Sequence, residues 1–433
     1  MSHDSMEGEI VVGLDVGTTK VAAVVGEINE DGITILGVGS VPCKGLKKGI
    51  VSNIDWTTRA IKDAVEAAQT MAGVEIRTVY AGVAGQHIRS QSSDGVAAIA
   101  GGEVTRADVE RALEGARAIP VDADRQILHV LPREYIVDAQ DGIRDPIGMS
   151  GVRLGAKVNL ITAATNAVQN VIRCAERCGL TVADVVLEPV ASAEAVLCED
   201  EKEIGVAVVD IGGGTTDILL YVDGGIAHAS VLPVGGNNIT SDIAAGLRTP
   251  MAEADRLKRL AGCALGRMVG DDEEIEVPGV GGHPPRRAPR RVLSDIIEPR
   301  VEEIFAAVRK RIEDTGLLDQ LSAGVVLTGG SVLLEGTSEL AEEILGMPVR
   351  IGFPTAVKGI TQLVNGPHYA TGVGLLKFGA QAMRDAAARD GARTQSQTRI
   401  KPIDTRQPIT VAPPAADDGP KSSKIWDWIK AAF

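Results

Sequence analysis

Two near-copies of one motif constrain this chain more than anything else in it. Glu9 to Val25 reads EIVVGLDVGTTKVAAVV, and Ile204 to Val222 reads IGVAVVDIGGGTTDILLYV. Each is an apolar run, an aspartate, a glycine-rich turn holding Thr-Thr, and a second apolar run. Runs of Val, Ile and Leu this short, broken by glycine, make buried strands rather than helices, so each copy predicts a β-hairpin with a polar tip. At the tips Gly17, Gly212, Gly213 and Gly214 carry no Cβ, so their N–H groups can close around an anion, and Thr18, Thr19, Thr215 and Thr216 add hydroxyl donors. Two such tips predict a phosphate clamp. Asp15 and Asp210, each just before its turn, are placed to hold Mg²⁺ through its waters, because that ion sheds its hydration shell reluctantly. One glycine-rich turn alone is more often only a tight turn; the repeat carries the reading.

The remaining composition limits what surrounds this clamp. At 433 residues, 44 % of them hydrophobic, the chain is long enough for several domains with cores of their own. A net charge of −14 argues against a nucleic-acid binder, which needs a basic face. The five cysteines, Cys43, Cys174, Cys178, Cys198 and Cys263, form no CxxC, and no basic-then-apolar leader follows Met1; a reducing cytoplasm is expected. Cys174 and Cys178 lie one helical turn apart with no His or second Cys pair beside them, and read as small core hydrophobes. No run of about 18 apolar residues is present, so no membrane span is expected.

Strand-like runs recur at Ile33 to Val41, Thr78 to Val83, Ile127 to Val137, Val158 to Ala163, Val182 to Leu187, Ala229 to Val234 and Gly324 to Leu327, with helical patterns between them. The fold class is α/β. Asn53 to Met71 places Ile54, Ala60, Ile61, Ala64, Val65 and Ala68 on one helical stripe behind an N-cap at Ser52 or Asn53. Asn166 to Cys178 and Arg106 to Arg117 are further helices. From Gly85 to Lys157 the texture changes: the polar stretch GQHIRSQSSDGVAAIAGGEVT precedes a helix and strand pairs, and the whole reads as an inserted subdomain. In the second half, a charged helical stretch from Ser241 to Leu260 is followed by a strand pair or loop over 270–292 and a helix from Leu293 to Thr315. Gly324 to Leu345 reads as strand, double-glycine turn and helix, a third place where backbone can approach a ligand. The last helical pattern fades near Arg389, and 390–420, rich in Gln, Thr, Pro, Asp and Arg, reads as a flexible linker.

Asp-x-Gly-Thr-Thr, then Asp-x-Gly-Gly-Gly-Thr-Thr-Asp, then a late Thr-Gly-Gly-Ser together resemble the actin, heat-shock chaperone and sugar kinase superfamily, in which two duplicated domains close on ATP. That resemblance implies an actin-like two-lobed ATPase fold. Asp15, Gly17, Thr18, Thr19 and Lys20 match the first phosphate loop, Asp210 and Gly212 to Thr216 the second, and Gly329, Gly330 and Ser331 the adenosine loop. Asp255 and Lys258 match a pair that contacts nucleoside in relatives, although the first of these is more often Glu. Glu188, in LEPVASAEA, matches the residue facing the attacking water in relatives that hydrolyse ATP.

Within that superfamily the chain is similar over essentially its whole length to the bacterial cell-division family FtsA, most specifically at GLKKGIVSNID, EVPGVGGHPPRRAPR, LSDIIEPRVEEI and the C-terminus. The resemblance implies subdomain 1A over 9–84, 158–203 and 368–389, an inserted 1C over 85–157, 2A over 204–235 and 322–367, and 2B over 236–321. It further implies ATP and Mg²⁺ as ligands, self-polymerisation, and binding of the tail of the tubulin-like FtsZ through 2B at Arg300 and Glu303. Later division proteins would be recruited through 1C, at the cytoplasmic face of the inner membrane at the division site. Any ATPase is expected to be slow and the role mainly structural.

The final segment, 421–433, KSSKIWDWIKAAF, holds two of the three tryptophans. Wound as a helix, it gathers Ile425, Trp426, Trp428, Ile429, Ala432 and Phe433 on one side, with Lys424, Asp427 and Lys430 on the other. That is the pattern of an amphipathic membrane-targeting helix whose lysines meet anionic headgroups. Two other readings compete with this one. A small-molecule kinase of the same superfamily needs a catalytic Asp near the first lobe and a substrate pocket, and no such pair is identified. A pilus-assembly scaffold resembling PilM also carries 1C, but neither linker nor terminal helix is expected there.

Overall fold

The computed structural model describes residues 8–30, 32–281 and 283–397, with the side chains of 388–397 excepted. Its two largest sheets repeat one plan. In the first lobe the strands Thr181–Leu187, Thr78–Val83, Glu9–Val16, Lys20–Asn29, Gly32–Pro42 and Lys358–Gly359 lie side by side in that order. In the second the order is Gly225–Leu232, Thr216–Val222, Val206–Ile211, Val325–Thr328 and Val349–Ile351. Each repeated motif folds as the expected antiparallel hairpin, with Asp15 opposite Ala22 and Asp210 opposite Asp217. A parallel strand flanks each hairpin on the same side, Gly13 beside Tyr80 and Val209 beside Leu327. Every residue of Val206–Ile211 and Thr216–Val222 is buried, as expected of strands covered on both faces.

The helix Ile54–Ala72 begins where the sequence places it: the Asn53 side chain accepts the Trp56 N–H at 2.9 Å, and Gly73, at φ 70°, ends it. Its buried stripe lies so close to the sheet that a Cβ on Gly39 would collide with the Ala64 carbonyl. Two more helices, Glu188–Val196 and Ala370–Gln397, cross between the lobes. They touch backbone to backbone, because a Cβ on Gly374 would meet the Ala191 carbonyl.

The insertion forms a separate sheet, ordered Arg89–Ala98, Arg153–Ala164, Arg125–Val137 and Gln140–Ile143, under the helix Arg106–Arg117. A Thr105 and Asp108 capping box starts that helix. Two expectations need correction here. Within the polar stretch after Gly85, Arg89–Ala98 is a strand whose buried residues face the helix Arg106–Arg117 and whose polar ones lie on the opposite, uncovered face. The insertion also extends past Lys157, because its last strand runs to Ala164 and pairs with Arg89 through Thr162.

Between the second-lobe strands, the single helical stretch Ser241 to Leu260 is two helices, Gly236–Leu247 and Met251–Ala261. Pro250 breaks it, having no N–H and excluding helical backbone before it; Arg248 sits at φ 52° in the break. A strand pair, Glu274–Val277 with Arg286–Pro289, leads into the helix Arg290–Glu313. The final helix continues to Gln397, past Arg389 and into the stretch read as linker. The rest of that stretch, and 421–433 with Lys424, Ile425, Trp426, Trp428, Ile429, Lys430 and Phe433, lie outside the described residues. Among the described residues no helix is long and apolar enough to cross a membrane.

Candidate functional site: a cleft between duplicated hairpins

The two hairpin tips meet across a cleft of about 830 Å³. Each tip closes with the same bond: Gly17 N–H donates to the Lys20 carbonyl at 2.9 Å, and Gly212 N–H to the Thr215 carbonyl at 3.0 Å. The tips are also in contact, since a Cβ on Gly213 would collide with Thr19 Oγ1 and one on Gly214 would stand 2.7 Å from Thr18 Oγ1. Glycine is therefore required at Gly213 and Gly214 for close approach.

Further elements tie onto the second tip. Gly236 and Asn237, at the start of a helix, donate to the Gly212 and Gly213 carbonyls at 2.9 and 2.8 Å, and Ser331 Oγ donates to the Gly212 carbonyl at 3.0 Å. Lys258 Nζ bonds the Gly236 carbonyl at 3.0 Å and Thr240 Oγ1 at 2.8 Å, and pairs with Asp255 at 3.2 Å. Burial holds the Lys258 ammonium below its usual pKa, with Asp255 opposing.

The floor is acidic. Asp15 pairs with Lys20 at 2.8 Å, and Lys20 Nζ lies 5.1 Å from the centre of the Tyr369 ring. Asp210 accepts from Ser192 Oγ at 2.7 Å; burial raises its pKa to about 6 in spite of that bond. Asp217 accepts from Thr215 at 3.1 Å, yet its Oδ1 is buried without a partner, and burial beside Asp210 raises its pKa well above the usual value. Glu188, at the start of its crossing helix, is likewise pushed well up by desolvation and then by Asp15, Asp217 and Asp210. Asp15, Asp210, Asp217 and Glu188 thus gather in one acidic cluster, with Lys20 beside Asp15. Among the described residues no group of three or more His, Cys, Asp or Glu is arranged to hold a metal.

Asp15, Gly17, Thr18, Thr19, Lys20, Glu188, Gly212, Gly213, Gly214, Thr215, Asp255, Lys258, Gly330 and Ser331 all line this cleft. Three sequence candidates stand behind it. Thr216 is fully buried and donates to the Val234 carbonyl at 2.9 Å. Gly329, at φ 91°, packs against Asp210, and Asp210 itself lies beneath the surface. Asp217, Asn237 and Thr371 also line the cleft and are absent from the sequence candidates, although Asp217 closes the motif DIGGGTTD. Arg300 and Glu303 lie elsewhere, on the helix Arg290–Glu313, paired with each other and, through Arg300 Nε, with Asp242 at 2.6 Å.

A family model described as cell division protein FtsA matches residues 207–374, and one described as the SHS2 domain inserted in FTSA matches 85–162. Over 379 residues the chain is 50 % identical to the cell division protein FtsA of Pseudomonas aeruginosa, covering 87 % of this chain and 91 % of that one. The chain belongs to the FtsA family. Its identity to the FtsA of Escherichia coli is 43 % over 382 residues (86 % and 91 % covered), and to that of Bacillus subtilis 39 % over 378 residues (87 % and 84 %).

Solved structures agree on an actin-like ATPase fold. The PilM-PilN type IV pilus biogenesis complex aligns at a TM-score of 0.61 and 19 % identity, covering 86 % of this chain and 98 % of that one. MreB5 of Spiroplasma citri bound to ADP aligns at 0.51 and 14 %, covering 89 % and 98 %. At these identities the likeness is one of fold. FtsA-family membership makes this a cell division protein, and the PilM-like alternative retains only that likeness.

Proposed function

We propose that this FtsA-family protein binds Mg-ATP in the cleft and serves as a membrane-tethered, self-polymerising adaptor. It anchors FtsZ filaments to the inner face of the cytoplasmic membrane and recruits later division proteins through the inserted subdomain. The observation that supports the nucleotide reading is the meeting of two like hairpin tips over an acidic floor: backbone N–H groups and threonine hydroxyls above, carboxyl groups below. MreB5, which shares the fold, is bound to ADP in its crystal structure, and this supports the same class of ligand here.

In this reading Gly17, Thr18, Thr19 and Lys20 receive phosphate from one lobe and Gly212 to Thr215 from the other. Asp15 and Asp210 hold the waters of Mg²⁺, Asp255 and Lys258 meet the nucleoside, and Gly329, Gly330 and Ser331 border the adenosine. When bound, Mg-ATP supplies charge that both lobes contact, which favours the closed arrangement by its differential affinity. Glu188 is the candidate to face an attacking water; burial and the neighbouring carboxyl groups raise its pKa. Arg300 and Glu303 are proposed to meet the FtsZ tail, and 421–433 the membrane, on the amphipathic pattern of that segment.

Calorimetric titration of the full chain with ATP in Mg²⁺ tests the nucleotide reading. Saturable binding is expected, weakened at least tenfold in Asp15→Asn. Absence of saturable binding to the native chain would overturn it.

A further inference from the structure

The helix Glu188–Val196 carries one polar side chain that its surroundings do not require for solubility. Ala191, Ser192, Ala193 and Ala195 are all fully buried there, and alanine would fill each position. A hydroxyl taken out of water costs free energy unless it is bonded. Ser192 Oγ spends its one proton on Asp210 Oδ2 at 2.7 Å, and it lies 3.0 Å from Thr371 Oγ1, which itself is 3.4 Å from the same carboxylate oxygen. Since Ser192 gives its proton to Asp210, Thr371 is the donor in the remaining pair. On the other side of Asp210, Oδ1 stands against Gly329, where any Cβ would collide with it. The carboxylate is thus held at both oxygens, Oδ2 by the Ser192 hydroxyl, which Thr371 steadies in turn, and Oδ1 by shape. Asp15, its counterpart in the first hairpin, pairs instead with Lys20.

The two hydroxyls come from particular places. Ser192 sits on the helix that leads from the first sheet toward the second, and Thr371 opens the helix that returns to pack on the first. Asp210 belongs to the second lobe. We infer that Ser192, which donates to Asp210 Oδ2, and Thr371, which holds Ser192, are positioning residues that fix Asp210 from both interlobe crossings, so that the hold of the cleft on a divalent cation depends on how the lobes are set. This rests on the reading of the cleft as a Mg-nucleotide site, and it assigns to two residues outside the phosphate-loop motifs a part in setting cation affinity. Groups standing behind metal-binding side chains commonly change metal affinity by about 10- to 100-fold when removed.

The test is a Mg²⁺ titration, at fixed concentration, of a fluorescent ATP analogue bound to the full chain. Ser192→Ala is expected to raise the Mg²⁺ concentration for half-maximal binding by about tenfold or more. Affinity measured in EDTA should stay within about twofold of native, and Ser192→Thr should restore the native midpoint. Thr371→Val should move the midpoint in the same direction and provides an independent arm if Ser192→Ala does not fold. Small-angle scattering adds a second readout: any compaction on adding Mg²⁺ with nucleotide should shift to the same higher concentration. Unchanged midpoints in both variants would overturn the inference, as would equal losses with and without Mg²⁺, which mark a merely structural role. If the native chain binds no analogue, the nucleotide reading itself fails, which is a different outcome from a native chain that responds to Mg²⁺ while its variants respond alike.

Discussion

Thr19 Oγ1 occupies the place where a Cβ on Gly213 would stand. With the contact of Gly214 against Thr18, it joins the tips of the two hairpins, and so the two lobes, at the mouth of the cleft. Gly213→Ala is therefore expected to push the tips apart and weaken Mg-ATP binding by at least tenfold. Thr19→Ala on the same chain should recover part of the loss, because it removes the oxygen and leaves the Thr19 Cβ at 3.1 Å and Asn237 Oδ1 at 3.4 Å. Titration of the single and double variants checks this; equal affinity in Gly213→Ala and the native chain would show that the tips need not meet.

Glu188 ties stability to pH. Its folded-state pKa lies well above 4.5, so the folded chain binds a proton that the unfolded chain has released in the interval between the two values. Stability from this group is complete below about pH 4.5 and falls as pH rises through the folded value. Without Mg²⁺ and nucleotide, Glu188→Gln should melt about 2–4 °C higher than the native chain at pH 8. The gap should close toward pH 4.5, since glutamine does not titrate. Thermal melts across pH decide it, and a constant difference would remove the assignment.

Arg300 already has two carboxylate partners, Asp242 and Glu303. A tail bearing carboxylates must compete for it, which makes charge reversal more telling than truncation. Arg300→Glu is expected to weaken binding of an FtsZ-tail peptide by at least tenfold in an anisotropy titration, and a melting curve of the variant separates this from the cost of breaking the half-buried Arg300–Asp242 pair. Unchanged affinity would place the tail elsewhere.

What can be read from residue order is what depends on neighbouring residues. The duplicated hairpins, the Asn53 cap and the stripe of Ile54–Ala72 are set by local periodicity and turn chemistry, and the fold follows their expected positions. Ser192, Thr371 and Asp210 cannot be grouped that way, because the contact between Ser192 and Thr371 spans 179 positions. Asp217 is within reach: it ends the second motif, and the register of the tight hairpin sets it opposite Asp210. The strand Arg89–Ala98 is hidden by its polarity, which an uncovered face permits. Pro250 is visible in the sequence, yet the helical patterns on either side of it run together and mask the break.

Co-flotation with liposomes tests the central claim most directly. Full-length protein, FtsZ and Mg-ATP are mixed with vesicles containing anionic phospholipid, alongside a chain lacking Lys421 to Phe433. FtsZ should float with the vesicles only in the presence of the intact chain, and should stay in the dense fraction with the truncated one. FtsZ remaining unbound with the intact chain, or floating equally well with the truncated chain, would contradict the account of this protein as a membrane-tethered adaptor.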